Sequence, residues 1–113
     1  MENSNELIQN MILELRRGVI GLAVLSQLDE EQNGYSLLKR LAERGLEVDQ
    51  GTLYPLLRRL ESRGLLQSDW RIADEARPRR YYVLSPPGRL LLEQLQKEWA
   101  GLADAINRML AIE

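Results

Sequence analysis

The spacing of apolar residues in the first part of the chain predicts two helices. Apolar side chains recur at steps of three and four over about Asn5–Leu28, which is the period of a helix. The stretch Val19–Leu25 is apolar on nearly every side, so we expect it to be buried from several directions. Residues 29–34 predict a loop, and a short second helix follows from Tyr35 to Arg44, where Gly45 is placed to end it. Its inward-facing residues are expected to be Leu37, Leu38 and Leu41.

The middle of the chain predicts a third helix followed by a pair of strands. Asp49 is a suitable N-cap for a helix that runs to about Arg63. Alternation replaces the helical period at residues 67–73 and 79–84, so we predict two strands joined by a hairpin loop at residues 74–78. The residues that share a strand face are Trp70 and Ile72 in the first strand and Tyr81 and Val83 in the second.

The last part of the chain predicts one long helix. Ser85 is an N-cap residue, and the prolines after it are tolerated in a first helical turn. The order helix, helix, helix, hairpin, helix makes the fold class mainly α with a small β-hairpin, an α+β winged helix-turn-helix. We expect residues 1–85 to form the winged helix-turn-helix domain with its N-terminal helix, and residues 86–113 to form a C-terminal dimerisation helix.

The third helix has one apolar face and one face suited to DNA. Its core stripe consists of Leu53, Leu56, Leu57 and Leu60. The opposite face and its edges carry Thr52, Tyr54, Pro55, Arg58, Arg59, Glu61, Ser62 and Arg63. Arginine can bind guanine O6 and N7 together, or a phosphate, and hydroxyl groups suit phosphate oxygens. The N–H groups at the helix start suit an anion as well. The alternative is a solvated helix face without a partner, and the spacing alone favours it as much as a DNA-binding face.

The predicted hairpin carries a second group of cations. Arg77, Arg79 and Arg80 place three guanidinium groups at the loop, where a wing could reach a phosphate backbone. An exposed basic loop that only improves solubility is the alternative. Two basic features on adjacent elements of a helix-turn-helix favour the DNA interpretation.

Several motifs in this order resemble the PadR family of bacterial transcriptional regulators. They are Gly34-Tyr35, the run Gly51-Thr52-Leu53-Tyr54-Pro55-Leu56-Leu57-Arg58-Arg59-Leu60-Glu61, Gly64-Leu65-Leu66, the run from Arg77 to Ser85, and Gly88. The resemblance covers about Leu15 to Met109, and Gly-Thr-Leu-Tyr-Pro is its most distinctive part. It implies a winged helix-turn-helix repressor that is dimeric through its terminal helices and binds a pseudo-palindromic operator.

The resemblance also implies which residues contact double-stranded DNA. These residues are Tyr35 at the start of the second helix, Gly51, Thr52, Tyr54, Pro55, Arg58 and Arg59 in the recognition helix, and Arg77, Arg79 and Arg80 in the wing. The chain departs from the family pattern at the wing tip, where Asp74-Glu75-Ala76 stands in place of glycines. It also has Asp49-Gln50 where small residues usually precede Gly51.

The final helix carries a heptad seam that a domain of this size is not expected to cover completely. The seam consists of Leu92, Leu95, Trp99, Leu102, Ile106 and Met109. We therefore expect a homodimer in which this helix packs against its mate or the mate's first helix. The alternative is a monomer in which the seam closes on its own first helix.

Trp99 lies in the middle of the seam and has two interpretations. It resembles a tryptophan that sandwiches flat aromatic ligands in a multidrug-sensing member of the family, which implies a small aromatic or cationic effector. Glu98 or Asp104 could then pair with a cation. The alternative is an interface tryptophan that only packs the dimer.

Composition excludes several classes of function. The chain has no Cys and no His, so a structural zinc site, a cysteine nucleophile and a His-based triad are excluded. Its acidic residues form no recognisable catalytic pair, and we expect neither an enzyme nor a bound metal or cofactor. The polar start and the absence of a long apolar run predict a soluble cytoplasmic protein that does not span a membrane.

The net charge of −2 conceals an uneven distribution. Residues 39–89 contain 11 Lys and Arg against 7 Asp and Glu, and the acidic residues are concentrated in the outer helices and the first loop. The net charge of −2 is therefore compatible with a basic part that binds DNA and an acidic part that dimerises. The remaining alternative is a winged-helix protein-interaction module without DNA binding, which the negative total and the acidic wing tip favour.

Overall fold

The part of the chain that the structure describes forms four helices and a small antiparallel sheet, in the order that the apolar pattern predicted. The computed structural model describes residues 3–72 and 77–111. Its elements, in chain order, are α1 (Ser4–Ser26), β1 (Gln32–Asn33), α2 (Gly34–Glu43), α3 (Gln50–Ser62), β2 (Leu66–Arg71), β3 (Arg79–Leu84) and α4 (Pro86–Met109). The predicted fold class is confirmed, and the predicted helices agree with the observed ones to within about two residues, except that α4 ends at Met109 and not at residue 113.

Short polar side chains determine where the helices begin. The side chains of Asn3, Asn33, Asp49 and Ser85 accept hydrogen bonds from the backbone N–H three residues later. Each bond satisfies one of the N–H groups that a helix start leaves unpaired. Gly45 and Gly64, which follow α2 and α3, have φ angles of +98° and +78°. This left-handed conformation favours glycine and ends a helix.

The sheet has one strand more than the sequence predicted. The strand order is β1-β3-β2, with Gln32 opposite Tyr82 and Asn33 opposite Tyr81. This segment was predicted to be loop, because two residues are too few to show a strand period. Its pairing with β3 depends on residues some fifty positions later in the chain, so no local signal predicts it.

The core lies where α1, α2, α3 and the base of the hairpin meet. The buried apolar residues are Val24, Leu25, Leu28, Leu37, Leu41, Leu53, Leu57, Leu60, Leu66, Tyr82 and Leu84. The backbone N–H of Leu84 donates to the carbonyl oxygen of Leu28 at 2.8 Å, which ties the end of β3 to the end of α1. The predicted inward faces of α2 and α3 are confirmed.

The start of α4 is fastened to the turn that follows α3. The hydroxyl of Ser85 donates to the carbonyl oxygen of Gly64 at 2.6 Å. The backbone N–H of Ser85 donates to the carbonyl oxygen of Leu65 at 3.1 Å. Gly88 is buried against the same turn: a Cβ at this position would lie 2.0 Å from the Leu65 carbonyl oxygen. Only glycine permits this approach, so α4 is held in close register with α3.

Within residues 3–72 and 77–111, no helix has an apolar stretch long enough to cross a membrane.

Candidate nucleic-acid interface

The outer face of α3 projects its polar side chains away from the core. Leu53, Leu57 and Leu60 are buried on the inner side of the helix. The exposed side carries Gly51, Thr52, Pro55, Arg58 and Arg59, and Tyr54 lies half-buried at its edge. Within the described parts of the chain, Arg58 and Arg59 form no ion pair. Their guanidinium groups are therefore available to an anionic partner.

The start of α3 is less open to an anion than the sequence suggested. The carboxylate of Asp49 accepts a hydrogen bond from the backbone N–H of Thr52 at 2.7 Å. This cap occupies one of the N–H groups that a phosphate would use and adds a negative charge beside it. The exposed side chains of α3 are therefore better placed to meet an anion than its N-terminus is.

An open cup of about 440 Å³ lies between the start of α2, the exposed face of α3 and the wing. The wing is the β2–β3 hairpin. Five of the ten residues predicted to contact DNA line the cup: Tyr35, Tyr54, Arg58, Arg79 and Arg80. The other five predicted residues do not line it: Gly51, Thr52, Pro55, Arg59 and Arg77. Residues separated by up to forty-five positions thus line one basic and aromatic surface.

Gly34 allows Tyr54 to take its place in this cup. A Cβ on Gly34 would lie 2.3 Å from Cε1 of the Tyr54 ring. The ring can therefore pack directly on the backbone at the start of α2. This contact brings α3 and the N-terminus of α2 together.

The three wing arginines have different surroundings. Arg77 is exposed next to the undescribed residues 73–76. The guanidinium of Arg79 lies 5.3 Å from the ring centroid of Tyr35, which is a cation–π contact. The predicted acidic wing tip, Asp74-Glu75-Ala76, lies outside the described residues.

Arg80, in contrast, is half-buried and is paired with neighbouring side chains. We call Glu61 of α3, Ser68 of β2 and Arg80 of β3 the wing–helix cluster. Arg80 Nη2 lies 2.9 Å from Glu61 Oε1, and Arg80 Nε lies 2.9 Å from the hydroxyl oxygen of Ser68. The sequence placed Arg80 with the cations predicted to contact DNA. In the structure its guanidinium is paired with the carboxylate of Glu61. Strand register, which sets this pairing, is not visible in a local pattern.

Two aromatic residues that the sequence did not assign to the site flank Arg80. Its guanidinium lies 5.8 Å from the ring centroids of Trp70 and of Tyr82. Burial raises the pKa of the Tyr82 phenol above its usual value, so this phenol is neutral at physiological pH. Trp70 is 65% exposed and faces the cup. The alternation around Trp70 was noted in the sequence, and only the register opposite Arg80 reveals its relation to the cup.

The predicted dimer seam on α4 divides into two parts. Leu92 and Leu95 pack against the core of their own chain, so these two positions are at least partly satisfied within one chain. Trp99, Leu102, Ile106 and Met109 are 47–78% exposed. The first half of α1 is similarly uncovered and exposes Leu7, Ile8, Met11, Ile12, Leu13 and Leu15. The intramolecular alternative therefore accounts for only the first part of the seam.

Trp99 borders an apolar cavity of about 460 Å³ between α1 and α4. Its walls include Leu15, Val19, Leu102 and Ile106. A second hollow, on whose rim Glu98 lies, shares Trp99 as a wall. Asp104, the other candidate partner for a cation, is 3.0 Å from Arg108 and so is already paired.

Comparison with known proteins by sequence gives matches to transcriptional regulators. A sequence model described as the transcriptional regulator PadR-like family matches residues 22–94. A transcriptional regulator of Mycobacterium tuberculosis is 40% identical over 91 residues, which are 80% of this chain and 84% of the relative.

Solved structures agree as well. A PadR family regulator from Eggerthella lenta matches with a TM-score of 0.82 and 42% identity over 94% of each chain. A PadR-like transcription factor from Bacteroides fragilis matches with a TM-score of 0.74 and 32% identity over 88% of this chain and 98% of that one. The relatives are regulators and not enzymes. The chain belongs to the PadR-like family of transcriptional regulators.

Proposed function

We propose that the chain is a homodimeric repressor that binds a pseudo-palindromic operator in double-stranded DNA. Residues 1–85 would supply the DNA-reading part, and residues 86–113 would hold two copies together. Repression is the mode of regulation that the family resemblance implies. The observation that carries DNA binding is the cup, where exposed cations and phenols of α2, α3 and the wing converge on one surface.

Each element has a distinct task in this proposal. Thr52, Tyr54 and Arg58 enter the major groove with α3. Gly51 and Pro55 have small side chains, which let this side of the helix approach the DNA closely. Tyr35, Arg59, Arg77 and Arg79 contact the phosphates on either side. A groove contact supplies specificity, and a phosphate contact supplies affinity and orientation.

DNA binding is tested by titrating labelled DNA from the region upstream of the chain's own gene at several salt concentrations. We expect the logarithm of the binding constant to fall linearly with that of the salt concentration, with a slope of about −0.9 for each phosphate neutralised. Scrambled DNA of equal length is the control and should bind more weakly. A chain that dimerises but shows no salt-sensitive binding is instead a protein-interaction module.

Dimerisation is supported by the two exposed apolar helix faces. Soluble monomers rarely expose contiguous apolar patches of more than a few hundred Å². The uncovered halves of α1 and α4 belong to helices that contact each other, so they can form one continuous surface for a second copy. A two-fold axis through this surface would place two recognition helices about 34 Å apart, one DNA turn.

Ile106→Glu is expected to convert the dimer into a monomer at micromolar concentration. The substitution places a charge on the uncovered part of the seam, where dimer formation would have to remove it from water. Sedimentation velocity measures the change. Gln94→Glu, which adds the same charge to the exposed side of α4, should remain dimeric. Equal sedimentation of both variants and wild type would place the interface elsewhere.

We further infer that a flat aromatic effector releases the repressor by binding at Trp99. The cavity there is apolar and aromatic, and Glu98 beside it could pair with a cationic group. The guanidinium of Arg16, which also lines the cavity, donates to the carbonyl oxygen of Glu47 in the turn before α3. A ligand that displaces Arg16 would therefore loosen the turn that holds the recognition helix.

A flat cationic dye should quench the emission of Trp99. We choose Trp70→Phe protein as the parent, because Trp99 is then its one tryptophan. Quenching that saturates, and that weakens when Leu102→Arg places a positive charge in the cavity wall and repels the cationic dye, is the expected result. The same dye should lower DNA affinity. Quenching that is linear and non-saturating would rule out a defined site.

A further inference from the structure

The wing–helix cluster joins three elements through one guanidinium group. Besides the bonds already described, Arg80 Nη2 lies 3.0 Å from Glu61 Oε2, so this nitrogen reaches both carboxylate oxygens. The hydroxyl of Ser68 donates to the same carboxylate. Each of the three side chains therefore contacts the other two, and the last turn of α3 is connected to both strands of the wing.

This ion pair is more enclosed than the others in the described parts of the chain. The side chains of Arg80 and Glu61 are 39% and 26% exposed, whereas every other pair has a partner at least 47% exposed. The rings of Trp70 and Tyr82 contribute to this enclosure, each with its centroid 5.8 Å from the guanidinium. Partial enclosure strengthens charge-assisted bonds and makes an unpaired partner costly. The geometry is therefore held more firmly than that of a surface pair.

The cluster lies where the wing leaves the core. At the base of the hairpin, Leu66 and its cross-strand partner Leu84 are buried. Two positions further, Ser68 joins the cluster, and the next residue on that face, Trp70, is already largely exposed. Loss of the cluster would free the outer part of the hairpin to change its angle relative to α3.

We propose that Arg80 is a positioning residue, which with Glu61 and Ser68 sets the angle between the wing and the recognition helix. This inference rests on the proposed DNA binding. A set angle allows Arg79 of the wing and Arg58 of α3 to reach the same DNA segment together. Arg80 acts through Glu61 and does not itself neutralise a phosphate.

The alternative, a phosphate contact by Arg80, predicts the opposite effect for one variant. If Glu61 only restrains a DNA-binding arginine, Glu61→Ala frees that arginine, removes a negative charge and strengthens DNA binding. If Glu61 and Arg80 together hold the wing, Glu61→Ala weakens DNA binding although the protein becomes more positive. The sign of the change therefore separates the two roles.

The experiment measures operator affinity and its salt dependence for Glu61→Ala, Arg80→Ala and the double variant. We expect each single variant to bind about 5- to 50-fold more weakly with an unchanged salt slope, and the double variant to bind no more weakly than the weaker single one. Arg79→Ala is the matched comparison on the same strand. Because Arg79 is proposed to contact a phosphate, its loss should make the salt slope less negative by about 0.9.

A second measurement examines the wing without DNA. Hydrogen exchange of the β3 amides should be faster in both single variants than in wild type, while the amides of α3 keep their protection. Unchanged exchange in β3, tighter DNA binding by Glu61→Ala, or a reduced salt slope for Arg80→Ala would each overturn the proposal. A wild-type chain that fails to bind DNA would overturn the proposed function instead, and the exchange data would still decide the role of the cluster.

Discussion

Gly88→Ala is expected to lower the free energy of unfolding by about 1–3 kcal/mol, the typical cost of forcing an extra carbon into a tightly packed site. The new Cβ would lie 2.0 Å from the carbonyl oxygen of Leu65 and 3.2 Å from Cδ2 of Leu84. The nearer atom belongs to the backbone of the turn after α3, so no side-chain rotation relieves the clash. Either α4 or this turn must move.

The measurement is urea-induced unfolding at one fixed protein concentration, because the proposed dimerisation would make apparent stability depend on concentration. Gly101→Ala is the matched control on the same helix. A Cβ there meets no atom within 4 Å, and alanine favours the helix over glycine by up to about 1 kcal/mol. The control should therefore unfold at higher urea than wild type and Gly88→Ala at lower. A Gly88→Ala midpoint at or above that of wild type would contradict the close junction between α3 and α4.

Arg58→Ala is expected to weaken operator binding by about 1–3 kcal/mol, which is roughly 5- to 150-fold. Arg58 is exposed, lines the cup and forms no ion pair within the described part of the chain. Its planar guanidinium can form two hydrogen bonds to one guanine, a contact that a shorter side chain cannot replace. Loss of this contact should reduce the preference for the operator over scrambled DNA.

Fluorescence anisotropy with both DNA sequences measures this preference. Arg44→Ala removes the same charge at the C-terminal end of α2, the opposite end of that helix from Tyr35 and the cup. It should therefore retain nearly all of the preference. If Arg58→Ala instead weakens binding equally on both DNAs, Arg58 contacts phosphate and not a base. If it changes neither, the orientation proposed for α3 is wrong.

Much of the fold followed from short-range patterns. The caps at Asp49 and Ser85 were predicted correctly, because a cap bonds to an N–H only three residues away. The inward faces of α2 and α3 were likewise predicted from helical period alone. The strand β1 was not, since its two residues acquire their conformation from β3 across a long separation in sequence.

The candidate site was predicted less completely than the fold. The exposed face of α3 followed from its helical wheel, and the structure brings Tyr35, Arg58 and Arg79 around one cup. The pairing of Arg80 with Glu61 was not predicted from the sequence. A sequence run presents three wing arginines alike, but in the folded chain only Arg80 faces Glu61.

The sequence by itself determined which segments are helices, where they begin and end, and which side of each helix is apolar. These properties depend on neighbours three or four residues apart, so they are visible in a local pattern. The tertiary structure alone decided which cations remain free and how much of the α4 seam stays uncovered. Both depend on strand register and on packing between distant segments: β3 places Arg80 against α3, and the core takes up Leu92 and Leu95 but leaves Ile106 exposed.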